Sequence, residues 1–169
     1  HGQIRRQRQM CIRDRDYWAA AAELADSIGV DIINSSLGYT IMYDDTINSH
    51  TYSDMDGNTT IITKAADRAA SRGILVVNSA GNSGLNSWYY IGAPADGDSV
   101  LAVGAVDYLG NIASFSSRGP SFDGRIKPNV CAKGMSVVVA DQDSSIRYAN
   151  GTSFSCLLYT SDAADESVR

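Results

Sequence analysis

The chain has 169 residues, with 14 Lys and Arg against 19 Asp and Glu, a net charge of −5, and 44% hydrophobic side chains. That length suits one domain. No apolar run approaches the roughly 18 residues of a membrane span, and the three cysteines offer neither a disulfide framework nor zinc-ligand spacing.

The two ends stand apart from the rest. Arg5–Arg15 reads RRQRQMCIRDR and Cys156–Asp165 reads CLLYTSDAAD. One DNA element read on opposite strands can encode both, an agreement over about ten codons, and that element resembles a transposon adapter used to prepare sequencing libraries. Residues 1–15 and 156–169 are therefore expected to be foreign to the protein and are set aside, leaving residues 16–155. This body holds eight basic and fifteen acidic residues, a net charge of −7. An acidic body argues against a polyanion partner such as nucleic acid. Only Cys131 of the three cysteines lies inside it, and a single cysteine does not reveal the redox compartment.

Asp16–Ile28 is Ala-rich and acidic, and reads as a helix stopped by Gly29. Val30–Ser35 is a short apolar run suited to a buried parallel strand, ended by Ser36-Leu37-Gly38. Tyr39–Gly57 is a long polar loop carrying His50, the one histidine of the body, which reads as a surface residue. Asp54-Met55-Asp56-Gly57-Asn58 invites a calcium reading. An EF-hand loop needs Gly at its sixth position and Glu at its twelfth; counted from Asp54, the glycine is too early and the twelfth residue is Ala65. Entry into a helix explains the stretch better, with Asn58 or Thr59 as cap and Ile61, Ile62, Ala65, Ala66 and Ala69 at helical spacing. A calcium loop of another kind stays open as the alternative.

That helix is expected to end at Gly73, followed by a buried strand at Ile74–Asn78. Ser79-Ala80-Gly81-Asn82-Ser83-Gly84 comes directly after it, at the strand end where ligands bind in open α/β sheets. Tyr90–Ala95 contains Pro94, and Val100–Val106 reads as another strand. Ser114-Phe115-Ser116-Ser117-Arg118-Gly119-Pro120 and Ile126–Val130 follow, with Cys131 expected to be a small buried residue. Val137–Ala140 and Ile146–Ala149 read as strands leading into Asn150-Gly151-Thr152-Ser153-Phe154-Ser155. No internal repeat or low-complexity linker occurs. Strands alternating with helices imply one doubly wound α/β domain with a mostly parallel sheet.

Taken in order, these segments resemble those of the subtilisin-like serine peptidases, the subtilases. Asn150–Ser155 is similar to the family's nucleophile segment and Asn78–Gly84 to its oxyanion segment. Pro94-Ala95 with Val103-Gly104-Ala105, the Phe-Ser-x-x-Gly stretch from Phe115, and Lys127-Pro128 match further family passages. The resemblance covers essentially all of residues 16–155. Departures are Asn129 for the usual Asp and Lys133 where Pro often precedes Gly; both read as structural. The resemblance implies a truncated subtilisin-like catalytic domain with Ser153 as nucleophile and Asn82 as oxyanion donor. A serine hydroxyl needs a positioned base, and the acyl-transfer intermediate needs donors for its oxyanion.

By the same resemblance, Ser36, Leu37 and Gly38 would pair with an extended polypeptide substrate, and Ala80 and Gly81 would bind it beside the scissile bond. Pro94 is a cis candidate. No cofactor is required for the chemistry and no metal ligand is assigned. The family points to a secreted or cell-envelope protease. Its catalytic Asp and His precede the Ser-Leu-Gly strand, so both are expected to lie upstream of Asp16, and the chain as given is expected to be inactive. His50 fits neither the family's His-Gly-Thr-His context nor its Asp, His, Ser order. A non-catalytic peptide-binding or scaffold domain is the alternative. A different α/β hydrolase is disfavoured, since no Gly-x-Ser-x-Gly elbow follows a strand.

Overall fold

The computed structural model describes residues 2–41 and 49–167, with side chains from 15 to 162. Part of the Tyr39–Gly57 loop therefore lies outside the described residues. Helix α1 spans Gly2–Ile28 and α2 spans Ile61–Ala70; strands β1 (Ile32–Ser35), β2 (Leu75–Ser79), β3 (Leu101–Val106) and β4 (Val130–Lys133) follow the expected order. They form one parallel sheet in the order β1-β2-β3-β4. Ile32 is paired with Leu75, Val77 with Leu101, and Val103 with Val130. Strands β5 (Val137–Ala140) and β6 (Ile146–Ala149) make a separate antiparallel hairpin, and α3 spans Thr152–Ser167. No described helix is long and apolar enough to cross a membrane.

The sheet is covered on both faces, which is why β2 and β3 read as continuous apolar runs. Neighbouring residues of β2 divide between the two sides, as the period of two requires. Val76 packs into a core with Ile62, Ala66 and Ala69 of α2 and Trp18 and Ala22 of α1, whereas Val77 joins Val103 and Cys156 of α3. On α2 the buried Ile62, Ala66 and Ala69 recur at helical spacing, while Ile61 is exposed. Gly29 and Gly73 end α1 and α2 with φ of 76° and 96°, a region open chiefly to glycine.

Two local expectations are corrected. The cap of α2 is Thr60, not Asn58 or Thr59: its Oγ1 accepts from Thr63 N at 3.2 Å. Asn58 and Thr59 are engaged one turn earlier, where Asp56 Oδ1 accepts from both of their backbone N–H groups at 2.8 Å. The acidic stretch thus forms an Asx turn. Among the described residues no group of three or more His, Cys, Asp and Glu is placed to hold a metal ion. Cys131 is exposed rather than buried. Its neighbours Val130 and Ala132 pack against the α3 side of the sheet, so Cys131 turns to the other face, where α2 packs on β2, two strands away.

The Ala93–Pro94 bond is cis, as expected; the bonds before Pro120 and Pro128 are cis as well. Asn129 is structural, its Oδ1 accepting from Ala102 N at 2.9 Å and from the Lys127 ammonium at 3.1 Å.

Candidate active site

The site forms where β1 and β2 end and α3 begins. Beyond β1 the chain runs through Ser36-Leu37-Gly38; beyond β2 it runs through Ala80–Gly84. A cavity of about 190 Å³ lies between these segments and the start of α3, and Ser36, Gly38, Gly81, Asn82, Thr152 and Ser153 are among its walls.

The oxyanion segment is held by its backbone. Ala80 N donates to Val103 O at 2.9 Å and Gly84 N to Phe115 O at 2.9 Å. Gly81 has φ of 103°. At Gly84 an added Cβ would collide with the Ser114 and Ser116 carbonyls, so only glycine lets the loop lie this close to its neighbour.

The nucleophile segment is held in a similar way. Gly151 N donates to Gly134 O at 2.9 Å, and Phe154 N donates to Gly151 O at 3.2 Å in the first turn of α3. Ser153 falls in that turn, where backbone N–H groups have no intrahelical acceptor and can serve a ligand.

Thr152 joins the two segments. Its N and its Oγ1 each donate to Asn82 Oδ1 at 3.0 Å, and its Oγ1 accepts from Gly81 N at 3.2 Å. With Oδ1 engaged twice, the Asn82 amide is oriented and Nδ2 is the atom it has to donate with. The Asn82 oxygen meets Thr152, one residue before Ser153. Thr152 was legible only as the middle of Gly-Thr-Ser, where it marks a sharp turn; its contact 70 positions back along the chain has no local signature.

The other expected residues are placed as follows. Leu37 does not line the cavity; its carbonyl accepts from Asn78 Nδ2 at 3.1 Å, which ties the Ser36–Gly38 segment to β2. Ala80 is 1% exposed and packs into the core with Ile91, Ala95 and Ala102, and it is not among the cavity walls.

His50 is not among the cavity walls, and its side chain is 14% exposed, so it is not the surface residue expected. His50 N donates to Thr40 O at 3.3 Å. Burial lowers the His50 pKa, Arg15 lowers it further and Asp54, 4.0 Å away, opposes both. Among the described residues no His, Asp, Glu, Lys or Arg lines the cavity.

The chain matches the profile of the Subtilase family over residues 8–164, a span that reaches into both end segments. It is 39% identical over 132 residues to Subtilisin DY of Bacillus licheniformis, covering 78% of this chain and 40% of that protein. It is 32% identical over 146 residues to a thermophilic serine proteinase of Bacillus sp. strain AK1, covering 83% and 30%. Among solved structures it resembles the prenylagaramide maturation protease PagA with a TM-score of 0.59 and 26% identity, covering 82% of this chain and 43% of that one. The chain thus spans less than half the length of these relatives. Motifs, fold and comparisons agree: the chain belongs to the subtilase family of serine peptidases.

Proposed function

We infer that the protein carrying this chain is a serine endopeptidase in which Ser153 attacks the scissile carbonyl while Asn82 Nδ2 and the Ser153 backbone N–H hold the oxyanion. The observation that carries this reading is the orientation of Asn82: two Thr152 donors at 3.0 Å occupy its oxygen and leave its N–H groups for the cavity it shares with Ser153. The Ser36–Gly38 backbone would pair with an extended peptide, and Ala80-Gly81 would flank the residue before the scissile bond. The proton of Ser153 needs a base. Among the described residues no titratable side chain lines the cavity, and in this reading the base and its orienting carboxylate are supplied from N-terminal to Asp16. The 169 residues alone then have no peptidase activity. A site of action outside the cytoplasm is part of the same reading.

The test uses the full-length protein encoded at the source locus. A fluorophosphonate should label Ser153, and Ser153→Ala should abolish both labelling and hydrolysis of a peptide p-nitroanilide. Asn82→Ala should lower kcat about 10²–10³-fold, a magnitude taken from subtilisin and not from this chain.

A second reading, consistent with the described cavity walls, is a peptide-binding domain without catalysis. A full-length protein that binds peptide yet is neither labelled nor active would establish it. The end segments are tested at the DNA level. Reads across the 15/16 and 155/156 junctions of the source genome should lack the adapter-like sequence; its presence would return both segments to the protein.

A further inference from the structure

We propose that Ser117 is a positioning residue for Asn82: it ties down the backbone on both sides of the oxyanion asparagine. This rests on the role of Asn82 inferred above. Ser117 is 2% exposed. Its N–H donates to the carbonyl of Gly81 at 2.9 Å, and its Oγ accepts from the N–H of Ser83 at 3.0 Å. Asn82 is therefore bracketed by two bonds to a single residue 34 positions away from Ser83. Gly81 sits close over the hydroxyl. A Cβ there would lie 2.9 Å from Ser117 Oγ, and φ is 103°, so the loop is shaped to rest on this side chain.

A bracket positions only if it is itself held, and Ser117 is. Ser116, next in the chain and equally buried, accepts from Ala105 N with its Oγ at 3.1 Å and donates its own N–H to Ala113 O at 3.0 Å. The segment is thereby strapped to β3. The two adjacent serines divide the work: Ser116 grips the central sheet and Ser117 grips the oxyanion loop. Thr152 orients the Asn82 amide. Ser117 holds the backbone on both sides of Asn82, to which Thr152 adds its bond from Gly81 N, and Thr152 sets how the amide is turned. Transition-state hydrogen bonding needs both, because the donor must meet the oxyanion within a few tenths of an ångström.

Ser117 also lines the cavity, so a direct contact with substrate is the competing role. The two roles separate in kinetics. Loss of an interaction realised only in the transition state lowers kcat, whereas loss of uniform binding raises KM. In the full-length enzyme, assayed with a peptide p-nitroanilide, Ser117→Ala should lower kcat about tenfold with KM within about twofold. In an Asn82→Ala background the same substitution should have no further effect, since the bracket then has nothing to aim.

A tenfold loss that persists in the Asn82→Ala background overturns the proposal, as does a rise in KM at constant kcat. If Asn82→Ala itself leaves kcat unchanged, the oxyanion reading fails and this proposal with it. If Asn82→Ala impairs kcat and Ser117→Ala does not, only the bracket is wrong. Ser117→Cys, close in size but with sulfur as a weak acceptor, gives the same kcat-selective loss and serves if the alanine variant does not fold.

Discussion

The two faces of the sheet are built on different physics. The face under α1 and α2 is an apolar core in which Trp18, Met55, Ile62, Val76, Trp88 and Val100 are all buried. On the face under α3 the buried apolar residues of the cluster are Val77, Val103 and Cys156. The start of α3 is placed by polar ties as well: Thr152 on Asn82 and Gly151 on Gly134. Burial of apolar area is strong and non-directional. A hydrogen bond contributes about 1 kcal/mol net yet specifies where an atom sits. The α2 face therefore supplies stability, and the α3 face supplies the position of Ser153.

Substitutions in the full-length protein can break this contrast. The largest effect is expected at Ile62, fully buried on the α2 face. Ile62→Ala should cost about 2–5 kcal/mol in denaturant unfolding and leave kcat per folded molecule unchanged. A lost kcat at full folding would mean that the faces are not separable.

Lys127 comes next. It is 6% exposed, and its ammonium donates to Gly97 O and Val100 O at 2.7 Å and to Asn129 Oδ1 at 3.1 Å. Lys127→Met leaves these acceptors unpaired and should cost about 3 kcal/mol. Its pH dependence has a definite sign. Burial first, then the Arg125 charge, pushes its pKa down from 10.5 to about 8. Between those values the unfolded chain holds the proton more tightly, so this group adds stability as pH rises from about 8 to 10.5. Unfolding measured at several pH values should show that rise in the parent and not in the Met variant.

A smaller effect sharpens the contrast from the site side. Asn78 is fully buried, and its Nδ2 donates to Leu37 O and to Ser79 O. Asn78→Ala should cost about 1 kcal/mol of stability. It should also raise KM, because the Ser36–Gly38 segment loses its tie to β2. An unchanged KM would separate that segment from substrate binding. The smallest effect is expected at His50: His50→Asn should leave kcat/KM unchanged, and a large loss would make His50 the base after all.

Much of the fold was legible because it rests on local patterns. The run Leu75–Ser79 reads as a strand because both faces are covered. The termini at Gly29 and Gly73 are legible because positive φ favours glycine there. Within the site, Asn82 and Ser153 were expected with their segments, and both line one cavity. The misses involve competition between partners. Asn58 and Thr59 are good caps in isolation, but Asp56 engages them first. Cys131 looks like a core residue until the register of β4 turns it outward.

The sequence by itself determined the order of helices and strands, the glycine stops, and which two segments meet at the strand ends. Side-chain periodicity and backbone preference are properties of a few consecutive residues, so they survive in one dimension. Only the tertiary structure decided that Thr152 orients Asn82, that Ser117 brackets it, and that His50 is half-buried and not itself a cavity wall. Those facts depend on strand register and loop closure, which set partners tens of residues apart and leave no repeating mark along the chain.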